Sequence, residues 1–370
     1  MRILLALLLF AGSAAAAELE RGRLIEKLVT RADAQQSYTL YLPTSYDPAK
    51  LHPALLVLDP LGRGTSGAEH FREAAEEYGW VLLSSNGTRS GDGDANTRAL
   101  AAMIPELDRY PIDRKRIYGA GFSGTAMLAW AVGIRAKLFH GVIGVGGRLV
   151  DVARPEDFPF AQYGFAGDAD FNNREMREVH AILEAKGKVH RLEHFKGIHQ
   201  WMSPELARDA AGWMELVAMK DGRRAKDEAL IAKLYARDLA GTAALESAGQ
   251  NLQALRRYRA IVRTFTGLHA VDEAVAAAAR LEKPAAAELK EEAEWDDFER
   301  RFHAAVIDRL GATAARLHDE GKLTRARLDR ELRVPELRRR AAKPGPEGLA
   351  AQRLLGSING LVRMLVPQLK

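Results

Sequence analysis

Three side-chain types recur along the first part of this chain in an order that suits acyl transfer. Ser123 stands in Gly121-Phe122-Ser123-Gly124-Thr125-Ala126-Met127, between a β-type run from Arg116 and an apolar helical run from Ala126 to Ile134. Small residues beside a serine permit a tight strand-to-helix turn. Such a turn lifts the hydroxyl clear of a sheet and sets it at a helix N-terminus, where developing negative charge is stabilised. Two acids follow in Phe165-Ala166-Gly167-Asp168-Ala169-Asp170-Phe171-Asn172, then a histidine in Lys196-Gly197-Ile198-His199-Gln200-Trp201. A serine hydroxyl is a weak nucleophile at neutral pH, and His199 is the base that could take its proton. A carboxylate, Asp168 or Asp170, would hold the imidazole tautomer and stabilise the imidazolium.

The oxyanion formed by such an attack needs two preorganised donors. The backbone N–H of Gly124 is one. The other is expected from the loop Asp59-Pro60-Leu61-Gly62-Arg63-Gly64. Pro60 has no N–H, which leaves Leu61 or Gly62. Trp201 reads as a wall beside the histidine, with substrate contact as its functional role. Arg63 could meet a substrate carboxylate, but an exposed loop arginine is the simpler reading.

These residues need elements that bring them to one edge. Ser37 to Leu42 alternates with period two and reads as an early edge strand. Ala54 to Leu58 is a continuous apolar run, the mark of a buried parallel strand. Further strands are expected at Trp80 to Leu83, Arg116 to Gly121, Val142 to Val145, Tyr163 to Ala166 and Val189 to Phe195. Helices are expected at Gly67 to Tyr78, Ala95 to Asp108, Asn173 to Lys186 and Pro204 to Met219. The alternation predicts a doubly wound, mostly parallel α/β sheet. Serine, acid and histidine each follow a strand, so all three fall at its carboxyl edge. Between Val145 and Tyr163 there is room for little more than a loop, so the site should be open unless something else covers it.

Taken together, the pieces resemble the esterase group of the α/β-hydrolases that includes feruloyl esterases and polyhydroxybutyrate depolymerases. The resemblance runs from about Ser37 to Met219 and rests on Gly-Phe-Ser-Gly and on Gly-Ile-His-Gln-Trp. It implies a serine esterase with an acyl-enzyme intermediate and no cofactor. The pattern places the acid three residues after Gly167, which favours Asp170 and leaves Asp168 as the alternative. Thr125 departs from the family, which has a second glycine there; a β-branched residue is expected to strain the turn.

The remainder of the chain bounds these readings. It has 370 residues, no cysteine and a net charge of +5. Thiol nucleophiles, disulfides and cysteine-ligated zinc are therefore excluded. Met1 to Ala17 reads as a secretory signal: Arg2, an apolar stretch from Ile3 to Phe10, then Ala15-Ala16-Ala17. That stretch is too short for a membrane span, and no lipid-anchor cysteine follows. The mature chain is expected to be exported, periplasmic or secreted. Metal patterns fail on inspection, including Asp92-Gly-Asp94-Ala-Asn96 and the pair His190 and His194. Gly144-Val-Gly146-Gly147 lacks the following helix and acid of a dinucleotide site.

Residues 18–220 thus form the expected hydrolase domain, and 221–370 an all-helical C-terminal domain. In the latter, Leu255, Tyr258, Ile261 and Val262 share a helical face. That segment looks like part of a tetratricopeptide unit, with Asp227–Ala248 and Val271–Leu281 as neighbours. Pro284, Pro335, Pro344 and Pro346 are expected to divide the tail into separate helices. Arg325, Arg327, Arg330, Arg333, Arg338, Arg339, Arg340 and Lys343 read as a solvated face rather than a nucleic-acid site. The substrate is expected to be a small-molecule or polymer-linked ester, with a protein partner for the tail as a further expectation. A serine peptidase on the same fold is one alternative. A non-catalytic binding protein, with a relic hydrolase domain and a partner-docking tail, is another.

Overall fold

The computed structural model describes residues 20–148 and 154–366. The leader at Met1 to Ala17 lies outside the described residues. Eight strands form one sheet: β1 (Leu24–Val29), β2 (Ser37–Tyr41), β3 (His52–Leu58), β4 (Val81–Ser85), β5 (Ile112–Phe122), β6 (Gly141–Val145), β7 (Ala161–Gly167) and β8 (His190–Phe195). Their spatial order is β1-β2-β4-β3-β5-β6-β7-β8. β2 runs antiparallel to both β1 and β4, and every other pair is parallel. This is the α/β-hydrolase architecture.

The helices of this part are α1 (Gly64–Glu69), α2 (Arg72–Tyr78), α3 (Gly93–Met103), α4 (Gly124–Ala136), α5 (Asn173–Ala185) and α6 (Pro204–Lys220). β3 is buried along its whole length. Its Ala54, Leu56 and Leu58 enter one core and Leu55 and Val57 the other, one on each face of the sheet. Strict alternation is absent because both faces are covered. Ser37–Tyr41 is not an edge strand, contrary to the sequence expectation. β1 covers it, and β1 escaped notice because its LIEKLV run carries charges and is half exposed, as an edge strand's residues are.

The rest of the described chain is helical: α7 (Glu228–Ser247), α8 (Asn251–Phe265), α9 (Asp272–Asp319), α10 (Arg325–Glu331), α11 (Val334–Ala341) and α12 (Gly345–Leu365). Leu255, Tyr258 and Ile261 are buried in a core shared by α7, α8 and the start of α9, which includes Leu216 and Met219 of α6. A second core joins the far end of α9 to α10, α11 and α12. Pro284 does not break the chain but lies inside α9. It sits four turns or fewer from runs of Ala and Glu, whose helix propensity offsets one lost N–H bond. Pro335 and Pro346 occupy first-turn positions of α11 and α12, where proline is tolerated.

Buried and half-buried ion pairs fix the tail to the sheet and to α5. Arg191 of β8 pairs with Asp238 of α7, and Arg257 of α8 with Glu193 of β8 at 3.1 Å. Arg177 of α5 meets Asp296 and Glu292 of α9. Of the late basic residues, Arg325, Arg333, Arg338, Arg340 and Lys343 make ion pairs within the tail.

Candidate active site

The turn between β5 and α4 carries Ser123 at φ 56° and ψ −125°, a conformation that costs free energy in a non-glycine residue. Three features hold it there. The Ser123 N–H donates to the Val145 carbonyl at the end of β6. A Cβ on Gly121 would come within 2.2 Å of the Thr125 carbonyl, so only glycine fits. Thr125 itself is fully buried, and its hydroxyl donates to the Leu58 carbonyl and accepts from the Phe122 N–H. The expected strain at Thr125 is absent, because that residue already lies in the first turn of α4. Its hydroxyl ties the turn to the end of β3.

Ser123 Oγ lies 2.8 Å from His199 Nε2, and His199 Nδ1 lies 2.8 Å from Asp170 Oδ1. A carboxylate only accepts, so Nδ1 carries the proton and Nε2 is left to accept from the serine. Asp170 is completely buried and also accepts from the Asn172 N–H. The other Asp170 oxygen lies against Gly146, where a Cβ would come within 2.6 Å of it and within 3.1 Å of His199. The glycine-rich end of β6 is thus the floor beneath the acid and the imidazole. The imidazole is packed between the rings of Phe122 and Phe171, with centroids at 4.5 and 4.1 Å.

Asp168 has a different task. Its carboxylate accepts from the Gly197 N–H at 2.9 Å, and its carbonyl accepts from Arg353 of α12 at 2.9 Å. It ties the acid loop to the histidine loop on one side and to the tail on the other. Phe171 lies against α12 as well, since a Cβ on Gly356 would be 3.2 Å from it.

Two sequence expectations need correction. The Leu61 N–H donates to the Asp59 carboxylate and the Gly62 N–H to the Asp59 carbonyl, so both are spent within their own turn. Asp59 is buried, and the short reach of its side chain gathers the N–H groups of Leu61 and Arg63. The group that approaches Gly124 is Ser90, whose hydroxyl would lie 2.0 Å from a Cβ on that glycine. Ser90 and Gly91 line the same cavity as Ser123. No local pattern marked them, because the loop after β4 precedes the serine by more than 30 positions in sequence. Trp201 is no substrate wall. It is buried beneath the site, donates to Asp59 and packs on Phe122 and His70.

The cavity over Ser123 has a volume of about 380 Å³. The hydrolase part contributes Gly124, Met127 and Phe171, and the tail contributes residues of α9 and α12. Burial pushes the Glu299 carboxyl up despite its pairing with Arg353, and burial lowers His303. His303 Nε2 is 2.7 Å from Ser357 Oγ, joining α9 to α12 across the cavity wall.

No protein-family model and no curated protein matches the chain. Solved structures similar to it include esterases from Rhizomucor miehei, at 14% identity and TM-score 0.46 over 55% of this chain and 87% of that one. A fluorophosphonate-binding serine hydrolase from Staphylococcus aureus matches at 14% identity and TM-score 0.43, over 53% and 99%. An acylaminoacyl peptidase from Pyrococcus horikoshii matches at 14% identity and TM-score 0.41, over 54% of this chain. This chain spans 41% of the length of that peptidase. At such identities the likeness concerns the fold alone.

Proposed function

We propose that the chain is an exported serine hydrolase that cleaves carboxylic esters. The observation that carries this reading is the hydrogen-bonded line Ser123–His199–Asp170, with Ser123 lining a cavity. Ser123 Oγ attacks the ester carbonyl carbon as its proton passes to His199 Nε2. Asp170 holds the imidazolium that results. The oxyanion is met by the Gly124 N–H, at the N-terminus of α4, and by the Ser90 hydroxyl or the Gly91 N–H. Collapse expels the alcohol, which takes the proton from His199, and leaves an acyl-enzyme on Ser123. Water then repeats the sequence: His199 takes its proton, the oxygen adds to the acyl carbon, and Ser123 leaves with the proton returned.

The two motifs that resemble the feruloyl esterase and polyhydroxybutyrate depolymerase group support an ester over an amide. Residues 18–220 would carry the chemistry in this reading, and 221–370 would complete the pocket. Export rests on the pattern of Met1 to Ala17. The test is hydrolysis of nitrophenyl esters by the purified mature chain and by Ser123→Ala. Turnover in the first and its loss in the second is the expected result. Peptide cleavage without ester cleavage would move the reading to a peptidase, and no hydrolysis of either would overturn it.

A further inference from the structure

One whole side of the cavity belongs to the tail. Leu354, Ser357, Leu361 and Met364 recur at three- and four-residue spacing along α12, so they share a face. All four line the cavity with Ser123, and Ile307 of α9 joins them. Met364 is 67% exposed and Ile307 45%. Large apolar side chains kept in water beside a nucleophile mark a binding groove rather than a core. Of the three arginines that line the same cavity, two are answered inside the protein, Arg174 by Glu178 and Arg353 by Glu299; the third, Arg148, is exposed at the edge.

Gly360 points the same way. Glycine in a helix interior is destabilising relative to alanine unless something requires it. Here a Cβ would meet nothing within 4 Å, so no packing neighbour demands the glycine. Gly360 lines the cavity between Ser357 and Leu361. Gly360 is exposed, and the cavity beside it is open to a ligand.

We infer that α12 is the chain-binding wall of the site: an ester with an elongated, uncharged aliphatic chain lies along Leu361, Met364 and Ile307, in the space that Gly360 leaves open. This rests on the ester-hydrolase reading above. Each methylene laid on such a wall adds about fourfold in binding when fully buried, so kcat/KM should rise with chain length until the wall ends.

The experiment is a chain-length series of nitrophenyl esters, from acetate through butyrate and octanoate to dodecanoate, on the full chain. The variants are Gly360→Phe, which fills the space without a backbone clash, and Met364→Glu, which places a charge on the wall. The wild type is expected to prefer octanoate to acetate. In both variants the octanoate-to-acetate ratio of kcat/KM should fall about tenfold or more. An unchanged ratio in both, or an equal loss at every length, overturns the wall. A preference of the wild type for a hemisuccinate over the butyrate also overturns it, since Arg148 would then be reading a carboxylate. A wild type that hydrolyses no ester of any length removes the ester-hydrolase reading and the wall with it, an outcome distinct from hydrolysis without chain-length dependence.

Discussion

The two halves of the site are built in different ways. The reacting half comes from loops at the ends of β5, β7 and β8, each positioned by backbone constraints: a serine at positive φ, glycines at 121 and 146 where no Cβ fits, and a buried acid. The tail half comes from faces of α9 and α12, contributed by residues 100 or more positions beyond the histidine. Rigid strand ends fix bond-making geometry to tenths of an ångström. A helix face fixes only shape and polarity. Rate should therefore be governed by the first half and selectivity by the second.

The largest effect should follow from Ser123→Ala. Turnover on every ester should fall by on the order of 10⁴-fold with the melting temperature nearly unchanged, since the hydroxyl sits at a turn and leaves no cavity. Stopped activity assays with matched thermal melts check both parts. Next come the two acids. Asp170→Asn should cost on the order of 10³-fold in kcat, because the wrong tautomer then faces the serine. Asp168→Asn, which loses only part of a loop tie, should cost far less. A reversed order would show that the 2.8 Å contact between His199 and Asp170 does not define the reacting pair.

A smaller effect probes a hydrogen bond that joins the halves. Arg353→Lys keeps a charge beside Glu299 but shortens the reach to the Asp168 carbonyl. Its kcat should drop about five- to tenfold on short and long esters alike, with the chain-length ratio unchanged. A change in that ratio instead would make Arg353 part of the wall rather than a positioning residue.

The smallest effect concerns the seam between α5, β8 and α8. Burial lowers His180 well below its ordinary value, lowers His190, and brings His194 to about 3. Arg177, Arg256 and Arg263 add to this, while Glu292 and Glu184 oppose it. The unfolded chain binds protons near pH 6.5 that the folded chain does not. The stability these neutral rings contribute is thus present above about pH 6.5 and lost as the pH falls below it. Urea midpoints should decrease steadily from pH 7 to pH 5, and His194→Gln should flatten the slope. A midpoint independent of pH across that window would contradict the burial of these rings.

The reacting half was legible because its residues announce themselves locally. Ser123 sits among small residues, and Asp170 and His199 each follow a strand expected from the sequence, Ala161–Gly167 and His190–Phe195. Ser90 and Gly91, which line the cavity beside Gly124, were not legible in the same way. Leu61 and Gly62 stand at the expected position, yet the Asp59 carboxylate takes the Leu61 N–H and the Asp59 carbonyl takes that of Gly62, a local competition that no spacing rule carries. Trp201 was misread for a similar reason. Its place beside the histidine in sequence says nothing of the indole N–H, which is drawn inward to Asp59. The strand Leu24–Val29 was missed because an exposed edge shows no apolar run. For the tail, the apolar faces around Leu255 and Tyr258 were visible as faces, but what they pack on was not. Leu361 and Gly360 carried no signal, because their meaning depends on a cavity made by Ser123 and Phe171 far away in the chain.

The central claim is that His199 and Asp170 activate Ser123 as a nucleophile. Exposure of the mature protein to a fluorophosphonate, followed by intact mass and peptide mapping, tests it most directly. The account predicts a single adduct on Ser123 in the wild type, its absence in Ser123→Ala, and labelling slowed by at least about a hundredfold in His199→Ala. An unlabelled wild type, or an adduct on another residue that persists in Ser123→Ala, would contradict it.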